Sequence, residues 1–503
     1  MQTRRAIEEP TEEEPLLGHI HDVSSPKPFL SGYQRLLLLV GISVVAADFG
    51  NALTVAPQIA IFESLICHQP GGGGDCKSPE VQGELALLIG WKDTIDQLPG
   101  IILALPYGLA ADRFGRKPIL LLCLAGLVLE EVAIRLVCWW NVVIPLRMIW
   151  VTPIFQIIGG GAQTATAMAY AMITDVVPLE KRASIFYIMA AVVLLGEILA
   201  TPISAFLMMS SPWVPTLLGV VVQLGGLLAA ALVSETRPDQ CPKSDQTTNT
   251  HERQGGLWWA GGGGDDDDGT GHDCPRSMYQ HWRHTVSGYW KHLQSAGENG
   301  WDLNMAYIVG TFLLASIGKQ ALQLIIPYAS NRFMWSIPRA SFLVTFKGVI
   351  NLITLLLILP WLSAKLTRQM SWTPAVKDLR VVQGSALILT LGALLMALAA
   401  QPGVFVAGVC FFGFGWGFYS ALRSLATALV SPSQVGVLNS GIGLAQGIGS
   451  LVAGPILAAA FRQGLRQEGL GKGLPYLVAG ALFFSATAFT CLIRITREEK
   501  PNP

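Results

Sequence analysis

Several polar and ionisable side chains stand inside long apolar stretches of this sequence. A charge at the centre of a membrane-spanning helix costs about 2.5–3.5 kcal/mol on insertion scales, so such residues usually face the interior of a bundle. Asp48 is central in the stretch 36–61, and Asn51 and Gln58 continue its helical face. Glu197 has a comparable position in the stretch 185–209. We therefore expect these residues to hold a proton or to contact a polar ligand.

The second half of the sequence places cations and aromatic rings in similar positions. The candidates are Lys319, Lys347, Asn351, Trp416, Tyr419 and Arg423. The last three recur at i, i+3 and i+7, which puts them on one helical face. Acids in the first half and bases in the second predict ion pairs across a central cavity that break and re-form, with Asp48 and Lys347 as the specific pair. A fixed structural pair is the alternative.

Long apolar helices are needed to position these residues, and the composition supplies them. The chain has 503 residues, of which 51% are hydrophobic and 14% charged, whereas an average soluble protein has about 25% charged residues. Twelve stretches approach the roughly 20 residues that span a bilayer, namely 36–61, 85–111, 119–138, 142–172, 185–209, 216–233, 303–326, 340–362, 381–400, 404–429, 437–461 and 474–493. This pattern excludes a soluble enzyme and predicts an all-α integral membrane protein.

Charge and cysteine usage exclude other classes of protein. Lysine and arginine number 34 together and balance 34 aspartates and glutamates, so no general basic field exists to hold nucleic acid. The eight cysteines include no CxxC pair, which argues against a metal centre, and no cofactor is expected. Cys67 and Cys76 flank four glycines in the first outer loop, where a disulfide and two free thiols are equally open alternatives.

Basic residues mark alternate loops as cytoplasmic, beginning with Arg113, Arg116 and Lys117. The predicted organisation is a disordered cytoplasmic segment 1–33, a six-helix bundle 34–233, a cytoplasmic linker 234–302, a second six-helix bundle 303–495 and a cytoplasmic tail 496–503. The linker is expected to be partly disordered. A helix at 278–293 within it either lies in the lipid interface or packs against the bundle.

The two halves share a short sequence pattern. G-x3-A-x-P-I-x-A begins at Gly196 and again at Gly449, an offset of 253 residues. Chance similarity between apolar helices is the alternative explanation. Duplicated bundles around a site at the bilayer midplane are a transporter design, so the pattern predicts two pseudo-repeated bundles of six helices.

The loop after the second stretch carries a distinctive motif. Residues 108–118, GLAADRFGRKP, resemble the G-x3-D-R-x-G-R-K loop of the major facilitator superfamily. In that family the loop latches the two bundles together on the cytoplasmic side. The resemblance implies a gating role for Gly108, Asp112, Arg113, Gly115, Arg116 and Lys117. A basic loop that only sets the topology is the alternative.

Further segments resemble a group of fungal transporters placed with drug and metabolite efflux proteins, namely 56–63, 98–100, 104–107 and 158–161. Drug/proton antiporters of this kind carry G-x3-G-P-x3-G in the fifth span. Here Gly196 is followed by Ala200 and Thr201, and the arginine usual in the fourth span is absent. The sequence therefore leaves proton coupling open.

The resemblance implies a secondary active transporter that works by alternating access. We expect it to export a small amphipathic organic compound, a drug or a secondary metabolite, with protons as candidate coupling ions. Nutrient uptake by symport or uniport and a non-transporting membrane sensor are the alternatives. We further expect a monomer in the plasma membrane, with the vacuolar or endosomal membrane as the alternative, and both termini in the cytoplasm.

Overall fold

Helices make up the regular secondary structure in the described part of the molecule. The computed structural model describes residues 32–68, 75–177, 179–236, 303–370, 374–429, 435–467 and 469–493. The first half contains α1 (Gly32–Cys67), α2 (Pro79–Phe114), α3 (Arg116–Trp139), a 3-10 helix (Leu146–Ile158), α4 (Gly161–Val176), α5 (Leu179–Leu207) and α6 (Trp213–Ala231). The predicted N-terminal segment, nearly all of the linker with its helix at 278–293, and the C-terminal tail lie outside the described residues.

The second half contains α7 (Leu303–Gln320), α8 (Ile325–Arg332), α9 (Ile337–Ile353), α10 (Leu359–Met370), α11 (Pro374–Ala397), α12 (Pro402–Phe414), α13 (Phe418–Ala428), α14 (Val435–Leu465) and α15 (Leu474–Leu492). Short helical segments of another type continue the chain from one α-helix into the next: a 3-10 turn at Ala321–Leu324, a π-helical segment at Thr354–Ile358 and a 3-10 turn at Gly415–Gly417.

Glycines interrupt two stretches for which the sequence predicted an unbroken span. In the stretch 142–172, Gly160 and Gly161 have φ angles of 83° and 74°, and they separate the 3-10 helix from α4. Residues with a β-carbon rarely adopt this left-handed backbone, which explains why glycine occupies both positions. In the stretch 404–429, the turn Gly415–Gly417 separates α12 from α13. Hydropathy does not detect such breaks, because glycine lowers the average only slightly.

Nine helical segments within the described ranges are long and apolar enough to cross a membrane. Helices α2, α3 and α4 are not among them. α4 has 16 residues, whereas α2 and α3 have 36 and 24 but contain ionisable residues such as Lys92, Asp96 and Glu130. Large apolar side chains face outward, including Phe206 at 72% exposure and Phe484 at 63%. Lipid is the environment that covers such a surface, so the chain is a multi-pass integral membrane protein.

Two helix pairs make the most extensive contacts between the halves of the chain, α2 with α14 and α5 with α9. α2 extends from the Cys67–Cys76 disulfide to the basic loop 113–117, and we name the two ends of the molecule after these features. At the disulfide end, a β-carbon placed on Gly83 would lie 3.1 Å from Arg462 Cγ, and one on Gly90 would lie 2.8 Å from Gly454 O. Glycine at these positions lets the two backbones approach closely.

The same helix pair separates toward the basic-loop end. A β-carbon on Gly447 of α14 would still lie 3.0 Å from Ile101 Cδ1 of α2, but β-carbons on Gly108 and Gly443 would meet no atom of the described residues within 4 Å. The space between α2 and α14 therefore widens from the middle of the molecule toward the basic loop. This arrangement opens the interior at the basic-loop end.

Candidate functional site

Glu197 of α5 and Lys347 of α9 meet where the two halves of the chain touch. Lys347 Nζ lies 3.6 Å from Glu197 Oε1. The register of the helices produces this pair, because a β-carbon on Gly348 would lie 2.8 Å from Ile198 Cγ1, one residue further along both helices. The Lys347 side chain is 14% exposed and the Glu197 side chain 41%. The pair is therefore partly hydrated, and one partner can leave the other without a large loss of solvation.

This pairing differs from the expected Asp48–Lys347 contact. Asp48 of α1 lies within electrostatic range of Glu197, and among the described residues the ion pair of Lys347 is with Glu197. The reason is helix packing: α9 contacts α5 far more extensively than it contacts α1. Opposite charge and central position in the sequence do not reveal which acid-bearing helix is the neighbour.

Lys319 connects the ion pair to two aromatic rings. Its Nζ lies 4.8 Å from the centroid of the Trp416 ring and 5.6 Å from that of the Tyr419 ring, which is the range of cation–π contacts. Tyr419 Oη donates a hydrogen bond of 2.9 Å to Ala315 O, which fixes the ring against α7. Lys319 is also within electrostatic range of Lys347 and Glu197. We call Asp48, Glu197, Lys319, Lys347, Trp416 and Tyr419 the central group.

The other predicted site residues make their described contacts outside the central group. Asn351 is 2% exposed and packs toward Gly413, where a β-carbon would lie 3.4 Å from its Oδ1. Arg423 Nη2 is 3.4 Å from Gln446 Oε1 of α14. Among the described contacts, no side-chain hydrogen bond or ion pair joins Asn51 or Gln58 to the central group. The structure therefore brings together six of the ten predicted residues.

The basic loop is held to the ends of α4 and α6. Gly115 has a φ of 102° and lies between α2 and α3. Arg116 Nη1 lies 2.6 Å from Asp175 Oδ2. The carboxylate of Glu235 accepts hydrogen bonds from the backbone nitrogens of Arg116 at 3.0 Å and Lys117 at 3.1 Å. A carboxylate at a helix N-terminus is favourable because free N–H groups point toward it.

Asp112 and Arg113 belong to the motif of this loop, and Glu235 binds the loop's backbone. The Asp112 side chain, for which the motif implies a gating role, lies outside the described part. Arg113 is exposed, with its guanidinium 5.5 Å from the Phe114 ring centroid. Glu235 was not predicted as a site residue from the sequence. The signal that could have identified it is its position directly after the last apolar residues of the sixth stretch.

A network at the disulfide end joins the two halves directly. Cys67 and Cys76 form a disulfide with a Cα–Cα distance of 5.0 Å, and Lys77 follows it. Lys77 Nζ pairs with Glu63 and donates to Ser330 Oγ at 2.7 Å, while Asn331 Nδ2 donates to Lys77 O at 3.0 Å. Because Ser330 and Asn331 belong to the second half, this network closes the interior at the disulfide end.

A second group of ionisable residues lies inside the first half and was not among the candidate site residues predicted from the sequence. It comprises Lys92, Asp93 and Asp96 on α2 and Glu130, Glu131 and Arg135 on α3. The available signal was the charged sequence WKDTID at 91–96 in the middle of an apolar stretch. Interior positions of this kind are candidate functional positions in membrane proteins.

Comparison with known proteins agrees with this architecture. The pattern of the Major Facilitator Superfamily matches residues 29–454. A protein of Aspergillus flavus named efflux pump ustT is 32% identical over 464 residues, which cover 89% of this chain and 86% of that protein. An Emericella nidulans protein named MFS efflux pump atnC is 30% identical over 515 residues, which cover 98% and 94%.

Solved structures agree on the fold. A D-xylose–proton symporter aligns with a TM-score of 0.60 at 13% identity over 92% of this chain and 98% of its own. Identity this low shows the fold alone. The sequence match over most of the chain confirms the resemblance inferred from the basic-loop motif: the chain is a membrane transporter that belongs to the Major Facilitator Superfamily.

Proposed function

We propose that this transporter exports a small amphipathic organic compound by alternating access. The observation that carries the proposal is the central group, which lies at the junction of the two halves and combines a cation–π contact with an ion pair. Relatives named as efflux pumps support export as the direction. The interior opens at the basic-loop end and is closed at the disulfide end, as a carrier that loads from the basic-loop side requires.

The proposed architecture has twelve membrane spans in two six-helix bundles, 34–233 and 303–495. α2 and α3 are long enough to cross, since 24 residues of helix extend over about 36 Å. Their ionisable residues are accommodated because they pair inside the bundle instead of facing lipid. The 3-10 helix and α4 together form the fourth span. In this arrangement the basic-loop end, both termini and the linker are cytoplasmic, and the protein acts as a monomer in the plasma membrane.

Ligand binding in this proposal uses the aromatic and cationic parts of the central group. Trp416 offers an apolar face to the hydrophobic part of a ligand, and Lys319 and Lys347 attract an electronegative group. A ligand that binds the Lys347 ammonium group displaces Glu197, whose carboxylate then lies near Asp48 without this partner. Two carboxylates at close range favour uptake of a proton, so ligand and proton occupancy become linked.

The basic loop acts as a latch in this cycle. Its contacts to Asp175 and Glu235 stay within the first half and fix the N-terminus of α3. A rigid loop presents the charges of Arg113 and Lys117 at the surface that meets the other bundle when the basic-loop end closes. We propose that closure at this end produces the outward-facing state.

Comparison of metabolites tests the direction of transport. Cells that overexpress the chain should enrich one compound in the medium, and cells that lack it should retain that compound inside. Trp416→Leu should strongly reduce the enrichment, whereas Phe484→Leu, on the outer surface, should preserve it at equal membrane abundance. Enrichment inside the overexpressing cells would overturn export in favour of uptake, and unchanged distributions of every metabolite would overturn transport.

A further inference from the structure

The buried charges of α2 and α3 form a second polar group inside the first half, apart from the central group. Lys92 Nζ lies 2.5 Å from Asp96 Oδ2, and both side chains are 15% exposed. Gln156 Nε2 from the 3-10 helix donates to Glu130 Oε2 at 2.5 Å, and Glu130 is 5% exposed. We call these residues, with Asp93, Glu131 and Arg135, the α2–α3 cluster.

The charges of the α2–α3 cluster do not cancel when every member is ionised. Lys92 and Arg135 supply two positive charges, and Asp93, Asp96, Glu130 and Glu131 supply up to four negative charges. Within the described residues, the side chains that face them from the 3-10 helix, from α7 and the segment Ala321–Leu324 after it, and from α14 are uncharged: Gln156, Gln320, Gln323 and Ser450. Uncompensated charges at this depth are costly, so the cluster is stabilised by binding at least one proton.

Hydrogen bonding indicates where a proton is held. The Asp96 and Glu130 carboxyl groups are within side-chain hydrogen-bonding range of each other. Two ionised carboxylates only accept hydrogen bonds, so a contact between them needs a proton on one partner. Asp96 Oδ1 is buried and receives no donor from the described residues. A proton shared with Glu130 supplies the donor that is missing.

Arg135 provides a second, independent observation. Its side chain is 8% exposed and pairs through Nη1 with Glu131, while Nε and Nη2 are buried without a hydrogen-bond partner in the described part of the chain. A guanidinium with two unused nitrogens can accept a further negative charge nearby at little cost. Arg135 can therefore stabilise the additional negative charge that the cluster carries when the proton is lost.

Asp93 connects the cluster to the boundary between the two halves. It lines a groove with Gln320, Gln323 and Ser450 from the second half. On the next residue, Thr94 Oγ1 donates to Leu451 O of α14 at 3.2 Å. Movement of α14 along α2 changes this contact and the access of water to Asp93. Proton exchange with the cluster is then tied to the motion that opens and closes the transporter.

We propose that Asp96 and Glu130, with Asp93 as their connection to the groove, form a proton-binding site separate from the central group. In each exchange an O–H bond of the carboxyl pair breaks, its electron pair stays on oxygen, and the proton passes through Asp93 to water in the groove. The transport role of this site rests on the proposed export function, whereas its occupancy by a proton does not. Coupling of export to protons then involves the first half as well as the junction.

Infrared difference spectroscopy of the full-length protein in detergent tests the site, with bulk protons as the ligand. At neutral pH the wild type should show the carbonyl stretch of a protonated carboxyl group, and this band should disappear on alkaline titration. Asp96→Asn and Glu130→Gln should each abolish it, whereas Asp48→Asn in the central group and Glu84→Gln in an exposed pair with Arg147 should retain it.

Each result decides the question. A wild-type protein without the band overturns the site even if both variants fail to fold, and so does a band that is lost only in Asp48→Asn. Folding of the variants is checked by size-exclusion chromatography. Because the spectra need no substrate, a band with the expected pattern in a protein that exports nothing would refute the proposed function and leave the site standing. Export by a protein that lacks the band would refute the site and leave the proposed function standing.

Discussion

The side chains of Lys347 and Glu197 are partly hydrated, so one partner of this ion pair can leave the other without a large loss of solvation. Lys347→Met leaves Glu197 close to Asp48 without its cation, so we expect gradient-driven export to fall about tenfold, equivalent to ~1.4 kcal/mol. The double variant Lys347→Met with Glu197→Gln removes the unpaired charge and should recover only part of the ligand binding, with Lys319 as the remaining cation, and not full turnover. Ligand binding and export are measured for each single variant and the double variant.

The Asp48→Asn variant provides the comparison for that cycle. Lys347→Met combined with Asp48→Asn should show a smaller interaction energy, because the structure pairs Lys347 with Glu197. A larger interaction with Asp48 than with Glu197 would contradict the geometry and restore the pairing expected from the sequence.

The contact of Lys319 with Trp416 gives a second prediction at the scale of single residues. Trp416→Phe keeps a ring beneath the ammonium group and should weaken ligand binding about threefold, while Trp416→Leu removes the cation–π contact and should weaken it about tenfold, consistent with ~0.5–2 kcal/mol for such contacts. Equilibrium binding to the purified protein checks the order. Equal affinities of the two variants would show that only the volume of the side chain matters.

The residues of the central group could be found from the sequence, but their partners could not. An ionisable residue in an apolar stretch is visible as an exception to the hydropathy, which is how Asp48, Glu197, Lys319 and Lys347 were selected. Which of them touch depends on the rotation of each helix and on which helices are neighbours. Those quantities are set by packing between distant segments, such as Ile198 against Gly348.

At the scale of helices, long and strongly apolar segments were the most predictable. The cluster on α2 and α3 was not predicted because a sequence average registers its charges only as a drop in hydropathy and does not show that they pair in the structure. The turn Gly415–Gly417 and the break at Gly160 were missed because glycine fits helices and turns alike. The family resemblance of the basic loop was visible in the sequence because the motif consists of residue types at fixed spacing.

Glu235 supports the N-terminus of α3, and this role can be tested. Glu235→Ala removes two hydrogen bonds to backbone N–H groups and should destabilise this helix end by about 1–2 kcal/mol. Faster hydrogen–deuterium exchange of residues 115–119 should follow, with slower export at equal membrane abundance. Glu235→Asp, which keeps the charge on a shorter side chain, should lie between the wild type and Glu235→Ala. Unchanged exchange in Glu235→Ala would refute the role.

Lys77 joins the loop of the disulfide to α8, and its removal should loosen the closed disulfide end. Spin labels on Val142→Cys and Met334→Cys, both strongly exposed at this end, report the separation of the halves in a background without Cys241, Cys274, Cys410 and Cys491. Lys77→Met should shift the distance distribution toward longer separations, because it removes the contacts with Glu63 and Ser330.

Arg147→Gln is the matched control for this measurement. Its exposed pair with Glu84 lies entirely within the first half, at the same end of the molecule, so the variant removes a cation without breaking a contact between halves. Its distance distribution should equal that of the wild type. If Arg147→Gln and Lys77→Met gave the same shift, a general loss of positive charge would explain the effect.

At the scale of the whole molecule, the packing of α2 against α14 defines which end is open. Gly90 and Gly454 lie in close contact toward the disulfide end, while Gly108 and Gly443 face open space toward the basic-loop end. A side chain at Gly443 is therefore reachable from the basic-loop side, and a side chain at Gly454 would collide with Gly90 and Thr94. The orientation of the protein in the membrane then determines from which side of the membrane a side chain at Gly443 can be reached.

Membrane-impermeant thiol reagents test that sidedness together with the proposed orientation. In a background without Cys241, Cys274, Cys410 and Cys491, Gly443→Cys should react in inside-out vesicles and stay unlabelled in intact cells, because the proposed orientation places the basic-loop end in the cytoplasm. Val142→Cys, which is 94% exposed at the disulfide end, should show the opposite pattern. Reversal of both patterns would invert the orientation and with it the direction of loading. Labelling of Gly443→Cys from neither side would instead mean that the resting protein closes at the basic-loop end, and the opening between α2 and α14 would then belong to a later step of the cycle.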